Sequence, residues 1–271
     1  MTKPADIDPY ADAEPIQAGV FMTAPGLSHA FFSRRGGAPT GSDLYRGLNC
    51  GLGSSDDPER VLANRAIAAG RLGVAPERIF TGRQVHGTAV VGTEAFIAGA
   101  RPEADAVVSD RPGDAAGAMA ADCGPVLFAD AEAQVAAAAH AGWRGALDGI
   151  LEATVQAMEA RGARSNRIAA ALGPTIGPLS YEVGAEFEAR FLAADRDNEQ
   201  FFAPGATPDK RMFDLPGYII ARLTGIGVAA DWVGMDTLAA PDRFFSARHS
   251  GRIGAKDYGR MLSAIALLDA D

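Results

Sequence analysis

Thiolate sulfur and imidazole nitrogen are the ligands zinc accepts most readily, and they are also the partners of a nucleophile and its base. This chain carries two cysteines and four histidines. One of each, Cys123 and His140, brackets a stretch in which two apolar runs flank a polar turn at Asp130 to Ala133, the pattern of a β-hairpin. A turn centred between Ala131 and Glu132 sets residue 129 opposite 134 and 126 opposite 137, which puts Cys123 opposite His140. Directly opposed residues of an antiparallel pair have Cα atoms about 4.5–5.5 Å apart and side chains on one face. The register therefore predicts that Cys123 and His140 are neighbours. His86, in Gln84-Val85-His86-Gly87, is the candidate third ligand, although no local spacing places it beside the hairpin. Three readings stay open for these residues: a metal site with one free position, a Cys123 thiolate with His140 as its base, and a small buried cysteine among satisfied histidines.

The elements that must position them can be read from periodicity and punctuation. After His140 comes Ala141-Gly142-Trp143-Arg144-Gly145. Leu147, Ile150, Leu151, Thr154, Val155 and Met158 then recur at helical spacing, which predicts a helix entered through a glycine-rich turn. Such a strand-to-helix turn presents free N–H groups to an anion. A second glycine-rich loop, Ser33-Arg34-Arg35-Gly36-Gly37, follows β-like runs at Val20 to Thr23 and His29 to Ser33. Asp57 and Pro58 supply a cap and a first-turn proline for a helix that runs through Val61, Leu62, Ala66, Ala69 and Leu72 to Gly73. A strand is expected from Ile79 to Val91, carrying His86, and another from Asp105 to Ser109. Residues 1–18, acidic and without periodicity, read as a loose arm, and the folded domain is assigned to 19–271.

Composition narrows the function classes. With 271 residues, 48% of them hydrophobic, the chain can bury a full core. A net charge of −9 argues against nucleic acid or an anionic membrane as partner and favours small molecules. Two cysteines make no disulfide framework, the first thirty residues lack a signal-peptide pattern, and no apolar run approaches a membrane span, so a cytoplasmic protein is expected.

Several motifs together resemble the bacterial YfiH family, also called the laccase-domain or polyphenol-oxidase family, with a mammalian relative known as FAMIN. They are Ser33-Arg34-Arg35-Gly36-Gly37, Leu48-Asn49, Asp57 with Asn64-Arg65, Gln84-Val85-His86-Gly87, Ala121-Asp122-Cys123, His140-Ala141-Gly142-Trp143-Arg144-Gly145, Gly173-Pro174-Thr175-Ile176-Gly177, Tyr181-Glu182-Val183 and Phe244-Phe245-Ser246. The likeness spans about residues 18 to 266. It implies a single α/β (α+β) domain with mixed β-sheets, similar to the catalytic domain of cytotoxic necrotizing factor.

The resemblance also implies zinc on His86, Cys123 and His140, with copper the disfavoured alternative. It further implies phosphorolysis of adenosine, inosine and methylthioadenosine, together with adenosine deamination. Editing of cell-wall precursor peptides by a Cys/His amide hydrolase is the alternative activity. On that footing Arg34, Arg35 and Arg144 are candidates to hold phosphate, Trp143 to stack on a base, and Asp122 to act as an acid/base or supporting carboxylate. The chain departs from the family at Asp236-Thr237, where Cys-Thr is common, and at Arg248-His249, where Arg-Arg is usual. A blue copper site plus a trinuclear cluster is ligated mostly by imidazole. His29, His86, His140 and His249 are too few for that, so the laccase name does not fit the inventory.

Overall fold

The computed structural model describes residues 14–22, 26–37 and 42–268. Its centre is a six-stranded mixed sheet, in the order Ala229–Trp232, Ala169–Leu172, Gly124–Asp130, Val135–Ala141, Ala106–Ser109 and Val90–Gly92. A four-stranded sheet, Leu27–Phe31, Met261–Leu267, Ala115–Ala120 and Ile79–Phe80, packs on one face of it. A small antiparallel sheet of Phe202–Pro204, Lys210–Phe213 and Glu182–Gly184 stands to the side.

Alternation along the strands explains the layering. Val126, Phe128, Ala137 and Ala139 pack on the helices Ile150–Glu159 and Leu215–Gly225, through Ile150, Leu151, Val155, Met158 and Ile219. Leu127, Ala129, Ala136, Ala138 and Val107 face the other sheet, meeting Phe31, Ala116, Ala118, Ile265 and Leu267. Beyond that sheet, the helix Pro58–Leu72 covers Ala30, Leu262 and Ala264 with Ala68, Ala69 and Leu72. The result is four layers, helix on sheet on sheet on helix. Strands covered on both faces are buried at every residue, as Gly124–Asp130 and Val135–Ala141 are. This accounts for the near absence of polar alternation there.

The capping signals at the first long helix hold. The Asp57 side chain accepts from the Glu59 N–H, Pro58 is the first helical residue, and Gly73 closes the helix at φ +75°. The helix expected after His140 is broken into two. Trp143–Asp148 ends at Gly149, whose φ of +105° only glycine adopts readily, and the chain starts again as Ile150–Glu159. The residues of the apolar stripe from Ile150 to Met158 are buried as their periodicity predicts.

Four expectations are corrected. The hairpin pairs Gly124 with Ala141 and Asp130 with Val135, two residues out of the expected register, so Cys123 is not directly opposite His140. The cause is a longer turn: Asp130 Oδ1 accepts from the N–H groups of both Glu132 and Ala133, and Gln134 takes φ +52°. A slip of two preserves the face, however, and leaves Cys123 diagonal to His140. The strand expected from Ile79 to Val91 exists only at its ends, Ile79–Phe80 and Val90–Gly92. Within the expected loose arm, residues 1–13 lie outside the described residues. Ile16, by contrast, bridges to Phe31, and the Ala18 N–H donates to His29 Nε2. Of the run Val20 to Thr23, Gly19–Phe21 forms a single 3-10 turn, and Thr23 is not described. Among the described residues, no helix is long and apolar enough to cross a membrane.

Candidate metal centre

The strand Ala115–Ala120 of one sheet leads through residues 121–123 into the strand Gly124–Asp130 of the other. Cys123 sits in that crossing, at the end of the interface between the sheets. His140 lies near the end of the neighbouring strand, on the same face. Its rim is completed by the loop 81–89, which leaves the ladder to carry His86. One ligand atom each from His86, Cys123 and His140 lie within 4.8 Å of one another, the sole such group of three or more among the described residues. Cys123 Sγ is 3.7 Å from His86 Nε2, and the two imidazole rings meet edge to face at 4.7 Å.

The carboxylate of Asp105 fixes both histidines. Its Oδ1 is 2.8 Å from His140 Nδ1 and accepts from the His86 N–H, while Oδ2 accepts from the N–H groups of Val85 and Gly87. Three successive N–H groups converging on one carboxylate force the turn at 85–87, and His86 takes φ +60° there. That turn is why the expected strand is interrupted. Arg144 clamps it from outside, donating to the carbonyls of Val85 and His86. Gln84 ties it to the other sheet through a reciprocal pair of bonds with the Met119 backbone. Asp122, the second non-glycine residue at the site with positive φ (+86°), aims Cys123. Its carboxylate accepts from Thr237 Oγ1, Ser246 Oγ and the Arg248 N–H, and burial raises its pKa against those bonds. Gly142 is required here for space: a Cβ on it would stand 2.8 Å from His86 Cδ2 and 3.0 Å from Cys123 Sγ.

The electrostatics suit a cation. Burial alone would raise the Cys123 thiol, but the charge and hydrogen bond of His140, and then His86, pull it down to about 6. Burial works the other way on His140, and the Cys123 thiolate and Asp105 carboxylate overcome it, raising the ring to about 9. Asp105 itself stays below the usual carboxylate range. Its burial is outweighed by the hydrogen bond from His140 and those from Gly87 and Val85. With His140 Nδ1 turned to Asp105, Nε2 is left for a metal, the carboxylate–histidine arrangement that orients metal ligands. Two imidazoles and a thiolate fit zinc with a fourth position open.

The candidate metal ligands border two cavities. The larger, about 570 Å³, is walled by Trp143, Ile176, Tyr181, Leu215 and Arg248. The smaller, about 230 Å³, is lined by Arg83, Arg101 and Arg260 together with Gln84, Met119 and His140. His86, Cys123, Ala121 and Tyr258 line both.

Of the residues singled out in the sequence, the structure brings His86, Cys123, His140, Asp122, Trp143 and Arg144 together. Arg34 and Arg35 line neither cavity of this centre. Arg34 donates to the carbonyls of Asp43, Arg46 and Pro241, stacks on Phe245, and lines a separate cavity with His249; Arg35 pairs with Asp242. The single anion pocket expected from Arg34, Arg35 and the turn after Trp143 is thus not assembled. The sequence reading missed Asp105, Tyr181, Arg248, Tyr258 and the arginines of the smaller cavity. Asp105 had a local signal, an acidic residue just before the fully buried strand Ala106–Ser109, while Tyr181 stood in a motif that carries the family resemblance and Arg248 at one of the two departures from it, neither with a role assigned.

Residues 28–268 match the family described as multi-copper polyphenol oxidoreductase laccase. A Deinococcus radiodurans protein named purine nucleoside phosphorylase is 40% identical, over 91% of this chain and 95% of its own length. The Escherichia coli protein named purine nucleoside phosphorylase YfiH is 37% identical, over 83% and 88%. Among solved structures, Neisseria meningitidis protein NMB0706 superposes with a TM-score of 0.81 at 33% identity, covering 90% of this chain and 96% of that one. Geobacillus stearothermophilus YlmD gives 0.76 at 27% identity, covering 91% and 93%.

Two outcomes follow from this geometry. Replacing Asp105 with Asn is expected to lower zinc affinity roughly 10- to 100-fold, measured by competition with a chromogenic chelator; unchanged affinity would contradict the orienting role. In metal-free protein, iodoacetamide is expected to label Cys123 down to about pH 6, below which its thiolate is lost. Cys50, fully buried with its thiol raised to about 12, is expected to stay unlabelled. Peptide mass spectrometry reads both sites, and added zinc should protect Cys123.

Proposed function

The chain belongs to the laccase-like YfiH family, and from that premise we propose that it is a zinc-dependent purine nucleoside phosphorylase acting on adenosine, inosine and methylthioadenosine. The observation that carries this reading is the two-imidazole, one-thiolate centre opening onto an aromatic-walled cavity of about 570 Å³, ample for a nucleoside. The names of the relatives from Deinococcus radiodurans and Escherichia coli support the reaction class. In this assignment the purine lies against Trp143 and Tyr181, rings that can stack on it. Arg248, whose guanidinium is 5.3 Å over the Tyr181 ring, closes that wall.

His86, Cys123 and His140 would hold the zinc ion, which when bound would supply Lewis acidity to a substrate oxygen. The chain's own residues do the rest. Asp105 holds His140 and the 85–87 turn, Arg144 keeps that turn closed, and Asp122 presents Cys123 while its hydrogen bonds tie the loops at 237 and 246–248 together. Asp122 and Arg144 therefore act as positioning residues. Adenosine deamination belongs to the same reading, because His86 and Cys123, which would hold the metal, line the cavity that would take the purine. Copper oxidation of polyphenols is not part of it: His29 is held by the Ala18 N–H, and His249 lines the separate cavity of Arg34.

One observation favours a second reading. Without metal, Cys123, His140 and Asp105 form a chain of thiolate, imidazole and carboxylate, the constellation of a cysteine amide hydrolase. Turnover of adenosine and inosine with and without phosphate separates the two. Phosphorolysis is expected to need phosphate, yield ribose 1-phosphate and stop on chelation. If phosphate changes nothing and chelated protein cleaves cell-wall precursor peptides, the amide-hydrolase reading replaces it.

A further inference from the structure

The smaller cavity has a composition that the metal centre does not explain. Arg83, Arg101 and Arg260 converge on about 230 Å³ of space in a chain whose net charge is −9. Two of the three have acidic partners: Arg83 pairs with Glu103, and Arg260 lies 3.3 Å from Asp257. Half-buried Arg101 has none among the described residues, and its guanidinium is held in place by donating to the carbonyls of Thr81 and Gly82. Burial does most to lower its pKa from the ordinary range, and the neighbouring Arg260 and Arg83 cations add a smaller like-charge repulsion. An anion among these groups relieves that repulsion and gains charge-assisted hydrogen bonds.

We propose that this cavity is the site of inorganic phosphate, with Arg101 as its principal anchor and Arg83 and Arg260 as flanking cations, on the side of the metal centre away from the purine. The assignment rests on the phosphorolysis reading for the identity of the oxyanion. It also meets a stereochemical demand of that reaction. In-line displacement at the anomeric carbon needs the entering oxygen and the departing base on opposite faces of the sugar. A phosphate oxygen forms the new carbon–oxygen bond as the carbon–nitrogen bond breaks. That electron pair leaves with the purine nitrogen, which takes up a proton from phosphate or water. His86, Cys123, Ala121 and Tyr258 line both cavities, so a ribose held against them would border the purine in one and the anion in the other. A β-nucleoside would then give the α-anomer of ribose 1-phosphate.

The test titrates inorganic phosphate into the metal-loaded protein by calorimetry, against chloride at equal ionic strength. Arg101→Gln is expected to weaken phosphate binding about tenfold or more, with Arg101→Lys intermediate and the nucleoside KM little changed. In the unaltered protein, phosphate is expected to slow phenylglyoxal modification of Arg101, read by mass spectrometry, so the outcome does not depend on a variant that folds. Absence of phosphate binding, undiminished binding in folded Arg101→Gln, or equal labelling of Arg101 with and without phosphate would each overturn the assignment. Arg101-dependent binding together with nucleoside turnover indifferent to phosphate would leave the anion site standing and remove the phosphorolysis reading instead.

Discussion

One buried carboxylate organises the centre of this molecule. Asp105 receives His140 Nδ1 and the three N–H groups of residues 85–87, so a single side chain sets the tautomer of one candidate metal ligand and the backbone of another. A carboxylate at 2% exposure is costly unless its oxygens are satisfied, and four donors satisfy it. The loop 81–89 gives up strand pairing to do this. Without Asp105 the 85–87 N–H groups would lose their acceptor and His86 its reason for positive φ.

The sandwich explains where such a centre can be built. Two sheets packed face to face leave a wet end where strands stop, and the chain crosses from one sheet to the other through Asp122 and Cys123. Small residues on both faces of Val135–Ala141 let the layers approach. Gly142 keeps the space beside Cys123 and His86 that any side chain would close. Because Cys123 lies in the crossing, His140 in a paired strand and Asp105 directly before another, the candidate ligands inherit the rigidity of the sheet, with His86 attached to it by hydrogen bonds.

Much of this was legible in the sequence, for physical reasons that also mark the limits. The helix Pro58–Leu72 could be bounded because its cap, proline and terminal glycine are local. Cys123 and His140 could be paired because a hairpin fixes parity, and a turn two residues longer than expected shifted the register without changing the face. The break at Gly149 was hidden by an apolar stripe that continues across it. His86 could be joined to the pair by family likeness but not by spacing, since its position depends on Asp105, eighteen to twenty residues downstream of the turn. Arg34 and Arg35 illustrate the opposite failure: arginines in a glycine-rich loop suggest an anion, but Arg34 is engaged with backbone carbonyls and the Phe245 ring, and Arg35 with Asp242. The arginines of the smaller cavity come from residues 83, 101 and 260, separations at which sequence carries no geometric information.

In the proposed centre, two imidazoles and one thiolate, aimed by Asp105, hold one zinc ion and leave a position open to substrate. X-ray absorption at the zinc edge, on protein purified without an affinity tag, tests it most directly. One sulfur at about 2.3 Å and two imidazole nitrogens at about 2.0–2.1 Å are expected, with one exchangeable light atom completing the shell. A shell without sulfur, or one closed by four protein ligands, would contradict it.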